Sequence, residues 1–197
     1  MKKILKISFF SVTVIVGILL ILNAYGLFAQ VKMSERTVGP YVLIYSKWVG
    51  DYKVTGAVMN KVTVELKENH NIKCAQSFGL YYDNPNTVPT EKLRSLGGCV
   101  VKGKTAAELA KLNLEYPVYE FPETKSVVTE FPFKGAPSII FGVIKVYPKL
   151  AEYLQTHRIA PSPIMELYDD ANESITYISP IDISREALEG LIRNKKN

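Results

Sequence analysis

Two stretches of sequence decide the fold: Pro163-Ile-Met-Glu-Leu-Tyr168 and, earlier in the chain, Leu80-Tyr-Tyr-Asp-Asn84. Each reads as a short strand that closes on Tyr-Asp, and the two Tyr-Asp pairs are 86 residues apart. Each follows a helical segment that ends in a His-x-Ile triplet, beginning at His70 and at His157. A pattern that recurs at a nearly constant spacing indicates an internal duplication.

Outward from these strands, each copy has the order strand, helix, strand, strand, over residues 38–101 and 126–180. The apolar positions that define the two helix faces are Val58, Val62 and Leu66 in the first copy and Val143, Tyr147, Leu150 and Leu154 in the second. Their spacing is helical, and Pro148 predicts a kink or restart in the second helix. We therefore predict an α+β fold in which two tandem βαββ units form one pseudo-symmetric domain.

The amino-terminal segment, residues 1–31, has a Lys-rich start followed by a long apolar run. No charged residue occurs between Lys6 and Lys32, and the apolar run covers residues 7–28. A helix of that length exceeds the roughly 30 Å hydrocarbon core of a bilayer. The run therefore predicts a single transmembrane helix that precedes the domain and anchors it, with a cleaved secretory signal as the alternative.

The basic flanks of the apolar run set the expected topology. Lys2, Lys3 and Lys6 cluster before it, which favours a cytoplasmic amino terminus. We therefore expect a single-pass membrane protein whose folded domain lies outside the cytoplasm. At the other end of the chain, residues 183–197 predict a C-terminal amphipathic helix followed by a basic tail.

The net charge of +5 arises at the two ends of the chain. Residues 32–192 carry 18 basic and 19 acidic side chains, so the folded part lacks a positive potential for nucleic acid, which we do not expect as a partner. Two cysteines and two histidines do not suit a zinc domain. The chain also lacks a nucleophile elbow, a phosphate loop and a dinucleotide-binding motif. We therefore expect no metal and no cofactor.

Short motifs in both copies resemble one family. Tyr81-Tyr-Asp-Asn-Pro85, Gly97-Gly98 and Pro163-Ile-Met-Glu-Leu-Tyr168 are similar to the GyrI-like (gyrase-inhibitor-like) small-molecule-binding domain, which also forms the effector-binding half of some transcription activators. The resemblance covers residues 36–182 and is greatest for the membrane-anchored branch typified by a testis-expressed endoplasmic-reticulum autophagy receptor. It implies a concave pocket between two pseudo-symmetric halves, used by relatives for lipophilic, often cationic, ligands. Some relatives are hydrolases that use pocket aromatics and a glutamate.

Glu166 is the main candidate site residue. Strand alternation places it on one face with Tyr168, between the apolar residues Met165 and Leu167 of the other face. Buried alone, a carboxylate is costly and tends to stay protonated, and a cationic ligand would supply the missing partner. The alternative is a solvated carboxylate on an exposed strand face.

Trp48, Tyr81 and Tyr168 are the aromatic residues expected to line the same ligand site, where their rings could make cation–π contacts. Ordinary core packing is the alternative for each of them. Trp48 is chosen because it follows the first strand and precedes Gly50, where the loop would rim the pocket.

These sequence features and the resemblance are compatible with three functions. The first is a membrane-anchored module that binds a lipophilic, cationic or amphipathic small molecule. The second is a small-molecule hydrolase in which Glu166 and Tyr168 act as acid and base. The third is a protein-interaction adaptor. The state of Cys74 and Cys99 stays open between a disulfide and two free buried thiols.

Overall fold

The computed structural model describes residues 2–112 and 114–193, with side chains from residue 11 onward. Over these ranges the chain forms five α-helices and eight β-strands, so the predicted α+β class is confirmed. The helices are α1 (Lys2–Ala24), α2 (Thr55–His70), α3 (Ala106–Ala110), α4 (Ala136–Thr156) and α5 (Arg185–Arg193). The strands are β1 (Ser34–Val38), β2 (Tyr41–Val49), β3 (Cys74–Tyr81), β4 (Arg94–Val101), β5 (Val118–Phe121), β6 (Thr124–Pro132), β7 (Ile164–Asp169) and β8 (Ser174–Pro180).

These strands form one antiparallel sheet in the order β1-β6-β8-β7-β3-β4-β2-β5. The two halves of this order mirror each other, with β6, β8 and β7 matching β2, β4 and β3. Each half also has the predicted chain order, β2-α2-β3-β4 and β6-α4-β7-β8. The two copies therefore join through their central strands, β3 and β7.

The register of that central pair corrects the spacing of the repeat. An offset of 86 residues equates Tyr82 with Tyr168, yet Tyr82 packs in the core beneath α5 and Tyr168 in the core on the opposite face. An offset of 87 residues instead equates Tyr81 with Tyr168, and Gly79 with its ladder partner Glu166. A shift of one residue moves every side chain of a strand to the other face. The alignment of the two Tyr-Asp pairs, with its offset of 86 residues, was therefore wrong by one position.

Helices α2 and α4 cover one face of the sheet, and α5 covers the other. The core beneath α5 packs around Leu188. The core of the opposite face contains Met59 of α2, Val146 of α4 and Tyr168 of β7. The face of β7 that carries Glu166 is therefore enclosed between the sheet and the two long helices.

The buried face of α4 differs from the prediction in its first half. Its buried positions are Ser138, Gly142, Val146, Leu150 and Leu154. Val143 was predicted to be part of this face but is 45% exposed. Because Gly142 contributes no apolar side chain, apolar periodicity selects its neighbour instead. Helix α4 also continues through Pro148, so the predicted restart is wrong.

The amino-terminal segment is linked to α4. Helix α1 ends at Ala24, and Gly26 then adopts a φ of 96°, a conformation that glycine tolerates at little cost. Lys145 Nζ of α4 donates to the backbone carbonyl oxygen of Leu27 at 2.6 Å. In the described ranges none of the helices is both long enough and apolar enough to cross a membrane. The transmembrane helix predicted over residues 7–28 is therefore not supported.

Helix α5 occupies the position of the predicted C-terminal amphipathic helix. Ser184 caps it, since its Oγ accepts a hydrogen bond from the backbone N–H of Ala187 at 3.1 Å. Glu189 Oε1 lies 3.7 Å from the Arg94 guanidinium of β4, which ties the helix to the sheet. The predicted basic tail, with Lys195 and Lys196, lies outside the described residues.

Cys74 and Cys99 form a disulfide, with their Cα atoms 5.5 Å apart. The bridge joins the neighbouring strands β3 and β4 next to a register shift between Cys74 and Gln76. The structure therefore resolves the open alternative in favour of the disulfide.

Candidate functional site

Glu166 lies in the middle of β7 with its side chain directed towards α2 and α4. Met165 and Leu167 pack in the core beneath α5, so the predicted alternation of this strand is confirmed. The exposed fraction of Glu166 is 2%. The alternative of a solvated strand carboxylate is therefore wrong.

Two tyrosines donate hydrogen bonds to the Glu166 carboxyl group. Tyr147 reaches it from α4, where its Oη lies 2.6 Å from Oε1. Tyr168, two residues along the same strand, donates from its Oη to Oε2. Each carboxyl oxygen thus has one phenolic donor, which fixes the carboxyl plane between the helix and the sheet.

The environment of Glu166 is formed by aromatic side chains with neutral hydroxyl groups. Burial raises the pKa of the carboxyl group, and the hydrogen bonds from Tyr147 and Tyr168 partly oppose that effect. Among the residues that the structure describes, no basic side chain forms an ion pair with Glu166. The site is therefore an acidic group held by neutral donors, without a cationic partner in the described part of the chain.

Tyr81 of β3 lies beside Glu166 and Tyr168. It comes two residues after Gly79, which is the ladder partner of Glu166. A Cβ atom at Gly79 would lie 2.7 Å from Tyr81 Oη, so the glycine makes room for the phenol ring to lie across its own strand. Burial and the Glu166 charge raise the pKa of Tyr81, and a hydrogen bond with Tyr168 opposes them. The structure therefore brings Glu166, Tyr168 and Tyr81 together.

Tyr177 lies on the other side of Glu166. It occupies β8, pairs with Glu166 across the ladder and is 1% exposed. Its ring stands edge-on to that of Tyr147, with the ring centroids 6.0 Å apart. Four tyrosines, at positions 81, 147, 168 and 177, thus surround one carboxyl group.

Sequence reasoning missed the roles of Tyr147 and Tyr177. A signal for Tyr177 existed, because the short loop between β7 and β8 pairs Asp169 with Ser174 and so sets Tyr177 opposite Glu166. Tyr147 was placed on the inward face of its helix with Leu150 and Leu154, but helical spacing does not show which strand residue its hydroxyl group reaches.

Trp48 lies apart from this group. It is on β2, which is separated from β7 by β3 and β4. At about 4.8 Å per strand, that places the two backbones roughly 14 Å apart. The indole Nε1–H of Trp48 donates to the backbone carbonyl oxygen of Asp51 at 3.1 Å, and its ring packs beside Gly50. The indole thus stabilises the loop after β2, and the structure does not bring it to Glu166.

The site at Glu166 is closed in this structure. A cavity of about 280 Å³ lies elsewhere, at the edge strand β1 and its neighbour β6. Its lining residues are Gln30, Lys32, Ser34, Arg36, Val128, Thr129 and Glu130. Among the residues that the structure describes, Glu166 is 2% exposed, so the open, concave pocket implied by the resemblance does not expose it in this conformation.

Sequence comparison gives two curated relatives. Human and mouse Testis-expressed protein 264 are each 26% identical to this chain over 167 residues, which cover 79% of this chain and 50% of theirs. The chain thus spans about half the length of these relatives. No protein-family model matches it.

Solved structures identify the fold. The EcmrR C-terminal domain matches with a TM-score of 0.54 and 11% sequence identity, over 78% of this chain and 99% of that domain. This chain has the same fold. SAV2435, solved bound to tetraphenylphosphonium, matches with a TM-score of 0.50 and 15% identity, over 77% of this chain and 94% of that one. The GyrI-like fold implied by the resemblance is therefore confirmed, whereas the likeness to a membrane-anchored branch stays a prediction.

Proposed function

We propose that this protein binds a lipophilic cation, with Glu166 as the charge partner and Tyr81, Tyr147 and Tyr168 as aromatic walls. The observation that carries the proposal is the buried Glu166 carboxyl group, which is hydrogen-bonded only by tyrosine hydroxyl groups and lacks a cationic partner among the described residues. Burying an unpaired carboxyl group costs free energy, and a cation inserted beside it offsets that cost.

The surroundings of Glu166 favour a cation that is also apolar. The attraction between unlike charges is stronger where the effective dielectric constant is low. Phenol rings add cation–π attraction when a positive group lies over their faces. A strongly hydrated ion such as ammonium would lose its water on entering, whereas a lipophilic cation has little hydration to lose. The solved structure of SAV2435 with tetraphenylphosphonium supports this ligand class.

Ligand entry requires a conformational change. Glu166 and Tyr177 are 2% and 1% exposed, so the carboxyl group has no open path to solvent. The Tyr147–Glu166 hydrogen bond crosses from α4 to the sheet and closes the site on that side. Separation of α4 from the sheet at Tyr147 would open the site without breaking a strand pairing.

A thermal-shift experiment on the full chain tests the proposal, with tetraphenylphosphonium as the probe. A ligand at 100 times its dissociation constant contributes about 2.7 kcal/mol, which raises the melting midpoint of a domain of this size by roughly 5–10 °C. We expect that shift for the wild type and its loss in Glu166→Gln. The matched control is Glu130→Gln, which makes the same charge change at an exposed side chain. An unshifted wild type, or equal shifts in all three proteins, would contradict the proposal.

Binding of the cation should strengthen as the pH rises. Burial raises the pKa of Glu166 above 4.5, so the free protein keeps this proton to a higher pH than an ordinary glutamate does. A cation binds the ionised form better, and its affinity therefore increases as the pH passes upward through that raised pKa and then levels off. Tetraphenylphosphonium does not titrate, so its dissociation constant between about pH 4 and pH 8 reports on the protein. A wild-type affinity that is independent of pH would contradict a charge partner at Glu166.

Hydrolysis of a small molecule is the second candidate function. The hydrogen bonds of Tyr147 and Tyr168 to Glu166 place phenolic donors at a carboxyl group with a raised pKa, and such a group can act as a general acid or base. Product that appears with the wild type and is lost in Glu166→Gln would favour this function over binding alone. A role as a protein-interaction adaptor and the exclusion of nucleic acid stay predictions.

We also propose that the folded domain lies outside the cytoplasm, with the amino terminus on the cytoplasmic side. The Cys74–Cys99 disulfide supports this location, because disulfides persist in oxidising compartments and are rare in the cytosol. Attachment to a membrane through residues 1–31 stays a prediction. Protease added to intact spheroplasts should digest the folded domain, and a protected domain would contradict the location.

A further inference from the structure

The hydroxyl group of Tyr177 is a buried polar group without a partner in the described part of the chain. Among the described residues, no donor or acceptor forms a hydrogen bond with its Oη. Burial raises the pKa of this phenol, and the nearby Glu166 charge adds to the effect, so Tyr177 stays neutral and keeps its proton. A buried hydroxyl without a partner is uncommon, because it gives up its hydrogen bonds to water and gains none in return.

The fold makes specific room for this hydroxyl group. Tyr177 Oη reaches α4 at Gly142, where the Cβ atom of an alanine would lie 2.1 Å from it. Any residue larger than glycine at position 142 would therefore displace the phenol. Gly142 lies on the buried face of α4, in a position where the apolar pattern calls for a larger residue.

Tyr177 also belongs to the layer in which the proposed ligand would bind. It is the ladder partner of Glu166 on the neighbouring strand. Its ring also contacts the ring of Tyr147, the residue of α4 that closes the site. Paired residues of adjacent strands have Cβ atoms about 5 Å apart. A ligand that separates α4 from the sheet beside Glu166 would thus meet the Tyr177 hydroxyl group as well.

We propose that Tyr177 determines specificity by donating a hydrogen bond to an acceptor atom of the bound ligand, so that the site selects lipophilic cations that carry an ether or carbonyl oxygen. This inference rests on the proposed function. Glu166 attracts the positive charge of such a ligand, the aromatic rings contact its apolar part, and Tyr177 recognises a neutral polar atom beside the charge. The hydroxyl group that is unpaired in the free protein is paired in the complex.

The test compares tetraphenylphosphonium, which has no hydrogen-bond acceptor, with its ortho-, meta- and para-methoxy derivatives. Dissociation constants are measured by titration calorimetry for the full-length wild type, Tyr177→Phe and Ser179→Ala. Ser179 is the matched control, because its hydroxyl group is also buried and without a partner among the described residues on the same strand, yet it pairs with Val127 rather than Glu166.

We expect the wild type to bind at least one methoxy derivative about fivefold more tightly than tetraphenylphosphonium, which is the range of one neutral hydrogen bond. Tyr177→Phe should remove that preference and leave the affinity for tetraphenylphosphonium within about twofold, whereas Ser179→Ala should keep the preference. A wild type without any preference, or a preference that survives in Tyr177→Phe, overturns the inference. Absence of tetraphenylphosphonium binding in the wild type instead overturns the proposed function and the inference with it.

Thermal unfolding without ligand gives a second, independent readout. Phenylalanine keeps the ring and removes the unpaired hydroxyl group. The small void left beside Gly142 is offset by the loss of a buried polar group without a partner, so Tyr177→Phe should melt close to the wild-type temperature. A melting temperature more than about 5 °C below that of the wild type exceeds the effect of one missing buried atom. It would mean that the hydroxyl group has a partner inside the free protein, and that result also overturns the inference.

Discussion

Replacement of Gly98 with alanine is expected to lower the free energy of unfolding by about 4 kcal/mol or more, which is a large part of the total stability of a typical domain. A Cβ atom at this position would lie 2.1 Å from the carbonyl oxygen of Ile44 and 2.8 Å from the Cα atom of Tyr45. Both contacts are with the backbone of β2, the ladder neighbour of β4, and a side-chain rotation cannot relieve them. The two strands would have to separate.

Urea unfolding of the full chain, followed by circular dichroism, measures this effect. The control is Gly56→Ala in α2, where no described atom outside the local helix backbone lies within 4 Å of the added Cβ. That change should leave the stability unaltered or raise it by up to about 1 kcal/mol, because alanine favours the helix. Similar unfolding midpoints for Gly98→Ala and the wild type would show that β2 and β4 are not as close as the structure has them.

The orientation of Glu166 could be predicted from the sequence because it depends only on near neighbours. Strand alternation over six residues of β7 is enough to place Glu166 opposite in direction to Met165 and Leu167. The repeat spacing needed more, because letters that match at 86 residues lie on opposite faces of their strands. An offset of 87 residues, which His70 and His157 also have, keeps equivalent residues on the same face and pairs Gly79 with its equivalent Glu166.

Contacts between distant strands explain what the sequence could not predict. Trp48 lies within β2 and does not follow the strand as predicted. Strands β3 and β4 lie between β2 and β7, and nothing local to Trp48 encodes this order. Strand β1 was missed altogether, because Ser34-Glu-Arg-Thr37 is polar and exposed on both faces and is held as a strand by pairing with β6. The apolar alternation that marks a half-buried strand is absent there.

Loss of the Cys74–Cys99 disulfide is expected to lower the free energy of unfolding by about 3–4 kcal/mol. The bridge closes a loop with a sequence separation of 25 residues, which restricts the unfolded chain. The expected loss is a large part of the total stability of a typical domain. Urea unfolding of the wild type with and without a phosphine reductant measures the effect on one sequence, and coincident curves would contradict it.

The double variant Cys74→Ala, Cys99→Ala separates the bridge from other effects of the reductant. Alanine is preferred to serine because Cys99 is fully buried, and a hydroxyl group there would lack a partner. The double variant should unfold like the reduced wild type and should not respond to reductant. The bridge lies between β3 and β4, whereas Glu166 lies on β7, so tetraphenylphosphonium should still shift the melting temperature of the double variant. Stability that depends on the disulfide, combined with binding that depends on Glu166, would show that this domain separates the residues that maintain its sheet from those that recognise its ligand.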